Sequence, residues 1–277
     1  MTSLSQQNLL NLAQKNERQG DLLTAIQNVE EAQQGEYSQE VTLRLCDLYL
    51  KNQQANAAYS LIKEEKDLFS DQAILATYSK ILQANHFLIE ARQLENLSQG
   101  AVVIAVSAAT PSVQQEIMRT FKQKTQPTQY DYQQLLKLDE ANFKSFAQSL
   151  LIDPSLSFAV RLALCEDLIR LGVADQVKVL VLGDVATFIP KQTSLLEKNP
   201  IYREVIYGIG SRYYHRPSQI PAVLGEVNLI LGSLYPKLDQ YVDEPDSFAR
   251  DIASYLEKHD GQGNQELFEK IDQYLPK

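Results

Sequence analysis

Arginine and tyrosine crowd one short stretch of this chain: Arg203, Tyr207, Arg212, Tyr213, Tyr214, His215 and Arg216. A guanidinium binds carboxylates and phosphates through paired N–H donors, and aromatic faces attract cations. Such a cluster suits capture of an anionic group or a peptide. The same residues also suit a helix face on which tyrosines pack half-buried and arginines extend their alkyl stems to water. Both readings fit the spacing, and Arg203, Tyr207, Arg212, Tyr214 and Arg216 form a candidate second site beside the one described below.

No other stretch carries the pattern of a known reaction. The chain has no G-x-S-x-G, H-E-x-x-H, P-loop or C-x-x-C sequence. Its three histidines, His86, His215 and His259, fall at expected helix ends or turns, where a solvated imidazole is the default. The two cysteines, Cys46 and Cys165, lie far apart inside apolar helical runs, which predicts buried, unpaired thiols with no activating base. Gly208-Ile209-Gly210 lacks the third glycine of a dinucleotide fingerprint and is expected to permit close helix packing. Asp260-Gly261-Gln262-Gly263-Asn264 has too few carboxylates for a calcium loop. These residues predict no catalytic site, no metal and no cofactor.

Composition narrows the partners. The net charge of −9, spread over both halves of the chain, repels phosphate and argues against nucleic acid. A length of 277 residues allows a sizeable core without disulfides or metals. The start, MTSLSQQNLL, has no basic segment followed by an apolar one, so no signal peptide is expected. The longest apolar run, Ala101 to Ala109, is about half of the roughly 20 residues that span a bilayer. Unpaired thiols suit a reducing cytoplasm, the expected location.

The elements that must position any site are helical. Alanine recurs at Ala25, Ala58 and Ala91, at intervals of 33 residues, each time inside a helical apolar pattern. A period of this size predicts stacked helix pairs. In the first pair Leu9, Leu12 and Ala13 form one stripe and Leu22, Ala25, Ile26, Val29 and Ala32 the next, separated by Gly20-Asp21. Glycine there suits a helix C-terminus and aspartate an N-cap. Leu45, Cys46 and Tyr49, then Ala58 and Ile62, mark the second pair; Leu75, Tyr78 and Leu82, then Ala91, Leu94 and Leu97, mark the third.

Beyond them, the AVVIAVSAA run of residues 101–109 is too apolar to be exposed. Strand and helix both fit its pattern, and helix is the expectation because it would continue the stack. Pro111 opens a helix through Met118 and Phe121, and Gln126-Pro127-Thr128 punctuates the chain. Helices then fill 129–172. Two runs rich in β-branched residues, Val177 to Leu182 and Val185 to Ile189, flank Gly183-Asp184 and predict a hairpin near 177–189. Glycine at the first central position would give a type II′ turn. Four stripes close the chain: Ile201, Val205, Ile206 and Ile209; Ile220 to Leu234; Phe248, Ile252, Tyr255 and Leu256; and Leu267, Phe268, Ile271 and Leu275.

Leu9, Leu12, Ala13, Gly20, Ala25, Val29 and Ala32 resemble the tetratricopeptide repeat pattern, and Asp153-Pro154 followed by Val160-Arg161 resembles a HEAT repeat. The resemblance, to bacterial tetratricopeptide-containing cytosolic proteins, covers about the first hundred residues well and the rest loosely. It implies an all-α fold: a right-handed tetratricopeptide-like α-superhelix over 1–126, HEAT-like helices and the β-hairpin over 127–190, and a C-terminal helical domain over 191–277. It also implies a non-enzymatic scaffold that binds a protein or peptide in a concave groove. That groove would present Gln7, Leu10, Gln14 and Glu17, then Glu40, Leu43 and Asp47, then Ala76 and Lys80. Of the positions that would clamp a chaperone's C-terminal carboxylate, Leu10, Gln14, Arg44, Ala73 and Thr77, only Arg44 matches. The amide-rich and acidic face favours a neutral or basic segment, with no nucleic acid and no membrane as partners. Two other functions stay open: a peptide-sensing regulator, and an enzyme with its site in the C-terminal helical domain.

Overall fold

A computed structural model of the chain describes residues 3–274. Among these residues the protein is mostly helical, with fourteen α-helices and one small antiparallel sheet of two strands. Leu275 of the last stripe lies outside the described residues. No helix among them is long and apolar enough to cross a membrane. Contacts divide the chain into two compact units, one of Met1–Ala91, Val103–Thr110 and Leu136–Asp139, the other of Arg92–Val102, Pro111–Leu135 and Glu140–Lys277.

The first unit begins with α1 (Leu4–Arg18), α2 (Leu22–Gln33), α3 (Gln39–Lys51), α4 (Ala55–Ile62) and α5 (Gln72–Asn85). The first turn of α6 (Leu88–Leu97) also belongs to it. Local chemistry sets the ends. Ser3 and Gln6 form a capping box on α1. Gly20 takes φ +83° between α1 and α2, and the Asp21 carboxylate accepts from the Thr24 amide at 3.0 Å, as the Gly-Asp pair predicts. Ala25, Ala58 and Ala91 are all fully buried. Ala13, Ala25, Ile26, Val29, Val41 and Leu45 share one buried cluster. Leu12 departs from expectation and is 50% exposed. The inward line of α1 runs through Gln6, Leu9 and Ala13, and the Gln6 amide donates to the carbonyls of Ala32 at 3.0 Å and Glu36 at 2.7 Å.

The run 101–109 is not a helix. It is irregular and extended, with Ile104 buried and Val103 63% exposed. Its β-branched residues and the following Pro111 disfavour helix, and α5 supplies the hydrogen bonds that a helix would have made internally. The Gln83 amide donates to the Ala105 carbonyl at 3.2 Å, and His86 Nδ1 lies 3.1 Å from the Ser107 carbonyl. The Ala109 amide donates to the Lys137 carbonyl at 2.9 Å.

The second unit contains α7 (Pro111–Gln123), α8 (Gln129–Gln134), α9 (Glu140–Leu151) and α10 (Phe158–Arg170). Strands β1 (Val177–Val181) and β2 (Asp184–Phe188) follow. The unit continues with α11 (Pro200–Arg212), α12 (Ile220–Leu234), α13 (Pro245–Lys258) and α14 (Gln265–Tyr274). The hairpin packs on α9, which supports its otherwise marginal pair of strands. There the Gln148 side-chain amide pairs with both backbone groups of Lys178, at 3.0 and 2.9 Å, as a third strand would. The register pairs Val181 with Asp184, so the two turn residues are Leu182 and Gly183, with φ +47° and +84°. Two positive φ values make the turn type I′, displaced one residue from the expected type II′ centre. Leu182 tolerates this conformation while its side chain is buried. Gly208 allows α11 to meet α13: a Cβ added there would stand 2.9 Å from the Ala249 Cβ. Among the described residues nothing approaches Gly210 in this way.

Candidate functional site

Helical spacing places Gln7, Leu10, Gln14 and Glu17 along one stripe of α1, Glu40, Leu43 and Asp47 along one of α3, and Ala76 and Lys80 along one of α5. Gln7, Gln14, Glu40, Ala76 and Lys80 are exposed, whereas Leu10, Glu17, Leu43 and Asp47 are half-buried. Leu10 packs against the core cluster of the first unit. The α3 residues line an open groove of about 580 Å³ bounded by Gln39, Glu40, Leu43, Arg44 and Asp47. Helices α3 and α5 pack directly, and α1 is tied to α3 by charge. The Arg44 guanidinium donates to the Glu17 carboxylate and reaches Asp47 at 3.3 Å, while the Lys51 ammonium bridges Glu17 at 2.8 Å and Asp47 at 2.6 Å.

This quartet changes the electrostatics expected of the face. Glu17 and Asp47 do not present free negative charge; two cations meet two carboxylates. Hydrogen bonding from Lys51, with a further contribution from Arg44, holds the Glu17 carboxyl below its ordinary pKa. The Lys51 ammonium is held above its own by Asp47 and then by Glu17. Lys51 is the member that sequence reasoning missed, although Asp47 and Lys51 stand at the i,i+4 spacing that signals a helix ion pair. The four charges of the quartet cancel, Glu40 adds a further carboxylate to the groove, and Leu43 offers apolar contact.

A second cluster in the first unit is structural. The buried Glu90 carboxylate accepts from the hydroxyls of Tyr59 at 2.5 Å and Tyr78, and from the Lys63 ammonium at 2.7 Å. It joins α4, α5 and α6.

The arginine and tyrosine cluster in the second unit is divided between roles. The Arg212 guanidinium donates to the Gly208 carbonyl at 2.9 Å and to the carboxylate and carbonyl of Asp246, both at 3.1 Å, which fastens α11 to α13. Arg216 pairs with Glu257 at 2.8 Å and covers the buried Tyr213 ring. Arg203 donates to the Glu197 carbonyl at 3.0 Å. Tyr207 and Tyr214 face solvent, 79% and 75% exposed, and Tyr214 meets His215 edge-on. The carboxylates that engage these arginines stand at the surface, Asp246 above all.

His86 and His259 end α5 and α13 in left-handed conformations, and His215 follows α11 in a turn. Cys46 and Cys165 are buried and unpaired; burial pushes the Cys46 thiol up to about 12 and the Cys165 thiol up as well. Among the described residues no three histidine, cysteine or carboxylate side chains gather as a metal site would require. No protein-family model matches this chain, and neither a curated protein nor a solved structure matches it significantly.

Proposed function

We propose that the chain is a non-enzymatic interaction scaffold of the cytoplasm, whose helix pairs stack as a right-handed tetratricopeptide-like superhelix. Its partner is an extended protein segment of neutral or basic character, held along the face of α1, α3 and α5. The carrying observation is the open groove of about 580 Å³ on α3, lined by Glu40, Leu43 and Asp47. The 33-residue recurrence of buried alanines supports the repeat reading. Exposed amides of Gln7 and Gln14 can bond to a partner's backbone, and Leu43 offers apolar contact. The ion quartet keeps the floor in one shape, which lowers the ordering cost of binding.

Reversing Glu17 or Asp47 would break that quartet and gather cations, so the probe is placed at Glu40, on the groove lining. Synthetic peptides of acidic, neutral and basic composition, arrayed against the purified protein, test the proposal. Neutral and basic peptides are expected to bind weakly and to weaken further with salt. Glu40→Lys should reduce binding of the basic set by on the order of fivefold, the scale of an exposed charge pair. Indifference of the protein to peptide charge, together with unchanged binding by Glu40→Lys, would remove this face from consideration.

A further inference from the structure

A different cavity lies in the second unit, at the start of α10. Its volume is about 280 Å³, and its walls include Phe158, Leu180 and Leu182 with the side chain of Arg161. Arg161 sits one turn into α10 and folds back over the preceding turn. Its Nη2 donates to the carbonyls of Asp153 at 3.1 Å and Leu156 at 3.0 Å. Its Nε is buried with no hydrogen-bond partner among the described residues. Nη1 makes no hydrogen bond among them either, which leaves it the free arm of the guanidinium.

The nearby carboxylate does not neutralise this charge. Asp153 turns toward its own loop and accepts from the Ser155 amide at 2.9 Å and the Ser155 hydroxyl at 2.6 Å. Its carboxyl is held below the ordinary pKa first by the Ser155 bonds, then by the fields of Lys122 and Arg161. Arg44, Arg212 and Arg216 each meet a carboxylate, whereas Arg161, like the exposed Arg203, bonds to main-chain carbonyls alone. A half-buried cation with no ion pair carries a desolvation cost that its two main-chain bonds offset only in part. Burial accordingly pushes the Arg161 pKa down. Gly183 of the hairpin and Tyr274 also line the cavity. Tyr274 brings its hydroxyl against Gly183, at φ +84°, where any side chain would collide with it.

We infer that this cavity binds a small organic anion, with a carboxylate or phosphate head on Arg161 and an apolar body against Phe158, Leu180 and Leu182. A half-buried guanidinium makes a charge-assisted bond stronger than a fully solvated one does. The apolar walls give the body of the ligand a place that inorganic ions cannot use.

Hexanoate and phenyl phosphate serve as probes for the two head groups, and inorganic phosphate as the head without the body. Each is titrated into the full chain while the Arg161 Nε–H resonance and the backbone amides of Phe158 and Leu180 are followed by NMR. Saturable shifts with at least one organic anion, and weaker binding of inorganic phosphate than of phenyl phosphate, are expected. Hexanoate alone would assign a carboxylate ligand, and phenyl phosphate alone a phosphate ester. Arg161→Met should weaken binding by on the order of tenfold to a hundredfold, the worth of a hydrogen bond to a charged group. Should that variant not fold, Leu180→Trp, which fills the cavity and leaves Arg161 in place, is expected to abolish the saturable shifts. Non-saturable shifts with both organic probes, or undiminished binding by Leu180→Trp, overturn the proposal. Equal affinity for inorganic phosphate and phenyl phosphate overturns the role of the apolar walls.

Discussion

In the first unit the buried Glu90 carboxylate meets two tyrosine hydroxyls and the Lys63 ammonium, whereas in the second the Arg161 guanidinium meets only main-chain carbonyls. The second unit can pair a buried charge when structure calls for it. Its Asp167, whose carboxyl burial pushes upward, accepts from the Tyr132 hydroxyl at 2.7 Å and from Arg170 at 3.1 Å. Glu90 and Asp167 thus share one solution, a carboxylate tied to a tyrosine and a cation, and it joins helices. Arg161 lacks that solution. The contrast separates a charge paired within the fold from a charge bonded to main chain alone.

Removing a paired charge and removing an unpaired one should have different consequences. Glu90→Leu leaves two buried hydroxyls and an ammonium without their acceptor and should cost about 3–5 kcal/mol. Arg161→Met trades two bonds to carbonyls for relief of a poorly compensated charge, so its change should stay near 1 kcal/mol or below. Urea denaturation of both variants measures the difference. Equal losses would mean that Arg161 is as structural as Glu90, and the contrast would disappear.

The next effect concerns how closely helices pack. The first unit buries an alanine at Ala58, and the second uses a glycine where α11 meets α13. Ala58→Leu should destabilise by about 1–3 kcal/mol through overpacking. A denaturation midpoint equal to that of the parent would show that the recurring alanines do not mark close contacts.

The smallest effect is one of acidity. Asp131 accepts from Lys124 at 2.5 Å and completes a capping box with Thr128, and these bonds, Lys124 first, lower its carboxyl to about 2. An unfolded aspartate titrates near 4. Its contribution is therefore complete above about pH 4 and is lost as pH falls from there through about 2. The stability advantage of the parent over Asp131→Asn should shrink across that window. A constant difference between the two proteins, followed by urea midpoints at each pH, would assign Asp131 no part in acid unfolding.

Much of this architecture is legible from local chemistry. Gly20-Asp21 announces a helix end and a cap because each residue acts on its immediate neighbours. Pro111, Pro200 and Pro245 open their helices for the same reason. Two features are not legible, because distant residues decide them. The 101–109 run reads as a buried helix until Gln83, His86 and Lys137 take its hydrogen bonds. The hairpin centre reads as Gly183-Asp184 until strand register, set by the buried faces of Val177, Val179 and Val181, moves it to Leu182-Gly183. The groove follows the same division. Stripe positions such as Glu40 and Leu43 follow from helical period, but the neutralisation of Glu17 by Lys51 depends on α1 and α3 being neighbours. The Arg161 cavity needs residues from five separate stretches of chain, and the sequence offers only the Val160-Arg161 pair as a hint.

The extended run before α7 carries one more consequence. In an extended chain the polar groups of alternate residues leave the same side. Ala105, Ser107 and Ala109 are such alternates, and each spends a backbone group on α5 or on Lys137. A stretch of valine, isoleucine and alanine with a bare edge is a template on which other chains add as strands. Here one edge is already capped by an amide, an imidazole and a carbonyl. Gln83 and His86 thus occupy backbone acceptors on that edge that an added strand would otherwise use.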